Sequence, residues 1–139
     1  MNDFDVITPD LHCISPETTL MQAIRMMKAL DANVLPVGKR DQIIATITEG
    51  DIVIRAADQA CDLRVIPVQE VMEREMICCF EDQGTHEAAE IMRKNRVRRL
   101  PVLNRNNQLL GTVILGDLAV HCNLGKKVGE ILMHYSTPA

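Results

Sequence analysis

At 139 residues and 47% hydrophobic content, the chain is long enough to bury one continuous core and too short for two ordinary domains. Charged residues make up 24% and alternate with apolar ones in short blocks, which excludes the disordered and coiled-coil classes. A formal charge of -4 and an aromatic content of 2% (Phe4, Phe80 and Tyr135) argue against a nucleic-acid binder, which needs a field attractive to phosphate and rings for stacking.

The N-terminus, Met1-Asn2-Asp3-Phe4-Asp5, is acidic where a secretory signal would be basic and then apolar. No apolar run approaches bilayer length, so the expected setting is the cytoplasm, with no membrane partner. Thr19 and Gln22 make a capping box ahead of Leu20, Ala23, Ile24, Met27 and Leu30, whose spacing predicts a helix. An apolar burst Val34-Leu35-Pro36-Val37, a turn Gly38-Lys39-Arg40-Asp41 and a β-branched run Ile43 to Thr48 predict two strands. Pro36 lacks an amide hydrogen and is expected at a strand start or edge. Gly50-Asp51 is expected to open a second helix, with Asp51 capping its free amides.

Residues 60–71 form a connector with no Gly/Ser-rich stretch, so they do not read as a flexible tether. Then the plan repeats. Gly84 and Glu87 start a helix that buries Ala88, Ala89 and Met92. Leu100-Pro101-Val102-Leu103 and Leu109 to Ile114 form strands around an Asn-rich turn, and Gly116-Asp117 starts a last helix. Leu35-Pro36-Val37 becomes Leu100-Pro101-Val102, and the same offset aligns Val6 with Val71, Cys13 with Cys78, Ala23 with Ala88 and Met27 with Met92. The tail Val128-Gly129-Glu130-Ile131-Leu132 echoes Val68-Gln69-Glu70-Val71-Met72 as a terminal helical turn. The halves are therefore drawn as 1–66, the first repeat with its connector, and 67–139, the second repeat. Helix, strand, strand, helix twice over is a mixed α+β fold. One such unit cannot bury both faces of its small sheet, which is the physical reason for duplication.

Five cysteines, Cys13, Cys61, Cys78, Cys79 and Cys122, form an odd set without Cys-x-x-Cys spacing, and read as buried thiols in a reducing compartment. His12-Cys13 and His121-Cys122 do not converge on one ion, so no metal site is expected. The eight methionines read as adaptable core packing. No Gly-x-Ser-x-Gly, His-Glu-x-x-His, P-loop or dinucleotide fingerprint appears, so no enzyme is expected.

The string Val97-Arg98-Arg99-Leu100-Pro101-Val102, followed by Gly111-Thr112-Val113-Ile114-Leu115-Gly116-Asp117, resembles the signature of CBS (cystathionine-β-synthase) domains, and the first half resembles it too. Two such repeats form a Bateman module. The resemblance implies a pseudo-twofold body with two clefts between the repeats, pairing into homodimers, and regulation of a client protein. It further implies an adenosine-containing regulatory ligand, AMP, ADP, ATP or S-adenosylmethionine, with no cofactor required.

Asp51 and Asp117 match the family's ribose-binding Asp, and a carboxylate suits a ribose diol because its two oxygens accept both hydroxyl protons. Thr48 matches the hydroxyl position three residues earlier, whereas the second copy has Ile114 there, which puts the second cleft in doubt. Arg98 and Arg99 occupy the position of phosphate-reaching cations, where the first copy has only Asn33 and Val34. If the clefts face each other, those arginines could serve a ligand whose ribose Asp51 holds. The other reading of the basic cluster, with Arg93, Lys94 and Arg96, is a solvated face balanced by Glu87 and Glu90. With so few rings, adenine would rest on Ile14, Val34, Leu35 and Ile47. The alternative from a different class is a structural dimerisation or interaction module with vacant clefts.

Overall fold

A computed structural model describes residues 7–9, 12–40, 42–58 and 60–121. The chain forms two compact units, one of them built from His12–Ile77. Its first helix, α1 (Leu20–Leu30), starts where its cap sits. Thr19 Oγ1 accepts from the Gln22 amide (3.2 Å) and the Thr19 amide donates to Gln22 Oε1 (3.0 Å), so two otherwise unpaired donors are satisfied at once. The helix buries Leu20, Ala23 and Met27 and ends at Asp31, whose φ of 52° turns the chain left-handed. Strands β2 (Val34–Lys39) and β3 (Gln42–Thr48) follow as an antiparallel pair in the register Val34 to Thr48, with a bulge at Val37/Gly38. Helix α2 (Glu49–Ala56) leaves directly from β3.

Leu20, Leu35, Val37, Ile47, Ile52 and Val68 are among the residues of this unit's core. Each fully buried side chain of this size contributes about 1.5–3 kcal/mol against the entropy of ordering the chain. The connector belongs to the same body. Leu20 N–H donates to the Ile66 carbonyl (2.9 Å), Val68 N–H to Thr18 (2.7 Å), and a 3-10 turn spans Val68–Glu70. The absence of a tether-like stretch in the sequence has this packing as its counterpart.

The other unit joins β1 (Ile7–Thr8) to the described residues from Cys78 onward. It contains β4 (Cys79–Phe80), α3 (Thr85–Asn95), β5 (Arg99–Leu103), β6 (Leu109–Ile114) and α4 (Leu115–His121). Its sheet runs β1-β6-β5-β4, with β4 and β5 parallel and the other pairs antiparallel. Helix α3 buries Thr85, Ala88, Ala89 and Met92, starts at Gly84 without a side-chain cap, and ends at Arg96 with φ 55°, the repeat partner of Asp31. Gly111 lies under β1, and a Cβ there would run into the Thr8 carbonyl oxygen.

The sheet pattern is duplicated line for line. Ile14 bridges Val37 in parallel as Cys79 pairs with Val102, and Glu73 bridges Thr46 antiparallel as Thr8 pairs with Thr112. The extended segment ahead of each repeat therefore pairs with a last strand other than its nearest repeat's own: Thr8 with β6, Glu73 with β3.

The elements follow the helix-strand-strand-helix plan, and three details differ from expectation. Helix α2 begins at Glu49 and α4 at Leu115, each one residue before its Gly-Asp pair, because the tight turn out of the last strand already has helical geometry. The N-cap of α2 is Thr48 rather than Asp51. Pro36 lies inside β2 rather than at its start, and β2 is an edge strand of its two-stranded sheet, as the other half of the expectation has it. The Pro36 carbonyl accepts from Ile14 N–H (3.1 Å), so its missing donor points to that side and no bond to β3 is lost. The compact units are a different division from the repeats 1–66 and 67–139: Ile7–Thr8 lies in the sheet of the unit that holds the described residues from Cys78 onward. The expected terminal turn at 128–132, Asp41 and Cys122 lie outside the described residues.

Candidate functional site

In the unit of residues 12–77, the sequence-predicted polar pair comes together at the N-terminus of α2. The Thr48 amide donates to Asp51 Oδ2 (2.9 Å) and the Asp51 amide donates to Thr48 Oγ1 (3.1 Å), a reciprocal capping box. The cap leaves chemistry in reserve. Thr48 Oγ1 is used as an acceptor, so its hydroxyl hydrogen can still donate. The carboxylate has about four acceptor sites, of which Thr48 N–H takes one. Both side chains are half-buried. The helix is pinned to the strand edge by the Glu49 amide, which donates to the Asn33 carbonyl (2.9 Å), and Val34 lies opposite Thr48 in the ladder.

A third acidic group joins them that the sequence reading did not single out. Glu73 is held by two backbone bonds to Thr46, donating to its carbonyl (2.7 Å) and accepting from its amide (3.0 Å). There its carboxyl lies within hydrogen-bonding reach of Asp51, and that contact, then the Asp51 charge, slight burial and Glu75, pushes the Glu73 carboxyl above the ordinary glutamate range. The offset that aligns Val6 with Val71 also aligns Thr8 with Glu73. The pairing of that segment with β3 is the non-local fact the repeat alone does not state.

The expected adenine contacts divide. Ile14, Leu35 and Ile47 are buried in the core cluster of their unit, whereas Val34 is buried at the strand start beside Thr48 and stands apart from that cluster.

In the other unit the equivalent corner has different chemistry. The Leu115 amide donates to the Arg98 carbonyl (2.9 Å), repeating the Glu49 to Asn33 tie, and Arg99 lies opposite Ile114. Ile114 offers no hydroxyl, so the Thr-Asp box has no counterpart ahead of Asp117. Arg98 and Asp117 are exposed and Arg99 is half-buried. Within the wider basic cluster, Arg93 is paired with Glu90 (3.0 Å), as a solvated face would have it.

Among the described residues no group of three or more His, Cys, Asp or Glu side chains is placed to hold a metal ion. None of the helices there is long and apolar enough to cross a membrane. Burial pushes the thiols of Cys78 and Cys79 up to about 11 and about 12.

Residues 4–58 and again 68–122 match the model of the CBS domain. The chain belongs to the CBS domain family. The CBS domain-containing protein YhcV of Bacillus subtilis is 32% identical over 132 residues, covering 95% of this chain and 93% of that protein. Among solved structures, Hypoxic Response Protein I with two coordinated zinc ions is similar at 25% identity and a TM-score of 0.70, covering 87% of this chain and 98% of that one. CBSX2 in complex with AMP is similar at 20% identity and a TM-score of 0.67, covering 88% and 96%, a likeness that concerns the fold. The chain is thus a tandem CBS regulatory module, and its two α2-type and α4-type corners are the candidate sites.

Proposed function

We propose that this tandem CBS chain is a non-catalytic regulatory module that binds an adenosine-containing ligand, AMP, ADP, ATP or S-adenosylmethionine. The ribose diol sits on Asp51 and Thr48, and Asp117 with Arg98 and Arg99 forms a second, weaker site. The observation that carries this reading is the Thr48-Asp51 box, which holds a carboxylate and a hydroxyl in fixed register at a helix N-terminus. AMP bound to CBSX2, a protein of the same fold, is consistent with it. Ligand acts by population shift, favouring one arrangement of the module that a client protein reads in the cytoplasm.

A thermal-shift panel of AMP, ADP, ATP, S-adenosylmethionine and adenosine tests this. Ligand at a hundred times its dissociation constant adds about 2.7 kcal/mol of stability. Asp51→Ala is expected to abolish the response, and Asp51→Asn to weaken it while keeping an acceptor for the Thr48 amide, which separates ligand loss from helix loss. A wild-type protein that responds to none of these compounds would overturn the reading.

One observation favours a second role for the same module. Val53 and Ile54 on α2 are 61% and 76% exposed, and Val120 on α4 is 88% exposed, which suits helices that meet a second copy of the chain. Homodimerisation through these side chains is compatible with ligand binding, and is what would remain if the clefts proved vacant.

A further inference from the structure

The two corners are built alike and charged oppositely. Around the Thr48-Asp51 box are Glu49 in the same first turn and Glu73, whose carboxyl meets that of Asp51. Asn33 and Val34 complete that corner at the strand edge. At the same positions the other unit has Asp117, with Leu115 in place of Glu49 and Thr8 in place of Glu73. Arg98 and Arg99 stand in place of Asn33 and Val34. Three carboxylates thus answer to one carboxylate and two guanidinium groups.

The backbone position of Glu73 comes from the fold, and its side chain is exposed. Both backbone bonds to Thr46 fix its Cα opposite β3, and Thr46 Oγ1 accepts the Ile77 amide (2.9 Å), anchoring the same segment further along. The charged groups that act on it are Asp51 on α2 and Glu75 on its own segment, and Arg74 follows it in the chain.

A ribose held by Asp51 carries its 5′ substituent on the same ring, a few bonds from the diol and so at a span comparable with the Debye length of about 8 Å at physiological ionic strength. Charge on that substituent is therefore felt by the pair. We propose that Glu73 is a specificity-determining residue of the Asp51 site, selecting adenosyl compounds whose 5′ end is neutral or cationic, such as a nucleoside or a sulfonium, over nucleotides with a 5′ phosphate. The proposal rests on the reading of Thr48 and Asp51 as the ribose site and assigns that site its ligand charge. A cation near Asp51 and Glu73 relieves the repulsion between two carboxylates, whereas a phosphate adds to it.

Isothermal titration of wild type, Glu73→Gln and Glu73→Thr with adenosine, AMP, ATP and S-adenosylmethionine, at low and at physiological salt, provides the test. In wild type, S-adenosylmethionine and adenosine bind more tightly than AMP, and ATP most weakly. Glu73→Gln and Glu73→Thr each raise AMP affinity about tenfold, leave adenosine within about twofold, and weaken S-adenosylmethionine, with smaller changes at higher salt. A second measurement needs no ligand. The Glu73 carboxyl, followed by NMR, titrates above the ordinary range in wild type and moves down in Asp51→Asn. Tight AMP binding that Glu73→Gln leaves unchanged, or a Glu73 carboxyl indifferent to Asp51→Asn, would overturn the charge assignment while the ribose site stands. Failure of every adenosyl compound to bind wild type would instead remove the ribose site itself, and the assignment with it.

Discussion

Thr48 Oγ1 caps α2 as an acceptor, which leaves the hydroxyl hydrogen able to donate, the second job we propose for it toward a ligand. Thr48→Ala is expected to cost about 1 kcal/mol in a urea titration, and Thr48→Ser to restore most of it, since the serine hydroxyl caps as well. An unchanged denaturation midpoint for Thr48→Ala would mean that the box contributes nothing. The same residue explains why the polar site was only partly legible. A Gly-Asp pair after a strand reads as a cap, and Asp51 is indeed at the helix terminus, but as the third helical residue it closes the box from inside. Glu73 was not legible at all, because its nearness to Asp51 depends on a pairing across 27 residues with β3 that no local pattern encodes. Cysteines are simpler to judge. With thiols pushed up to about 11 and about 12, Cys78 and Cys79 are expected to resist alkylation at pH 8 in the folded protein and to react on unfolding. Peptide mapping by mass spectrometry checks this, and rapid labelling of either in native protein would contradict their burial.

Among the elements, those with strong local signals were readable. The Thr19-Gln22 box, the apolar face of α1 and the β-branched run of β3 each announce themselves within a few residues. The two-residue strands β1 and β4 do not, since strands so short have no periodicity and exist only through their partners. The ends of α1 and α3 were equally silent. Each stops at a left-handed residue, Asp31 or Arg96, where the usual glycine signal is missing. Gly111 gives this scale its sharpest test. A methyl group there meets the Thr8 backbone, so Gly111→Ala is expected to cost about 1–3 kcal/mol by overpacking. Hydrogen exchange should speed up at Ile7 and Thr8 before the β5-β6 ladder is affected. Uniform loss of protection would instead tie β1 to the rest of its sheet as one cooperative piece.

At the scale of the molecule, the duplication was the most legible feature, because a repeated offset survives whatever the three-dimensional details are. The mixed α+β class and the family both follow from it. The exposed apolar side chains of α2 were not foreseen, since Val53 and Ile54 read in sequence like any other interior helix positions. If they meet a second copy, Ile54→Glu is expected to lower the sedimentation coefficient from that of a dimer to that of a monomer. Circular dichroism should stay unchanged, because the side chain is largely exposed within the chain. A wild-type protein that sediments as a monomer at every concentration would leave that surface to another partner.

The crossed pairing of Ile7–Thr8 with Val113 and Thr112 carries a timing consequence. A ribosome releases the first of these residues roughly a hundred positions before the last, an interval of about 5–20 s at ordinary elongation rates. Through that interval the nascent chain must keep its leading β segment from engaging any wrong edge. Translation speed and chaperone access thereby become conditions on the yield of correctly connected protein.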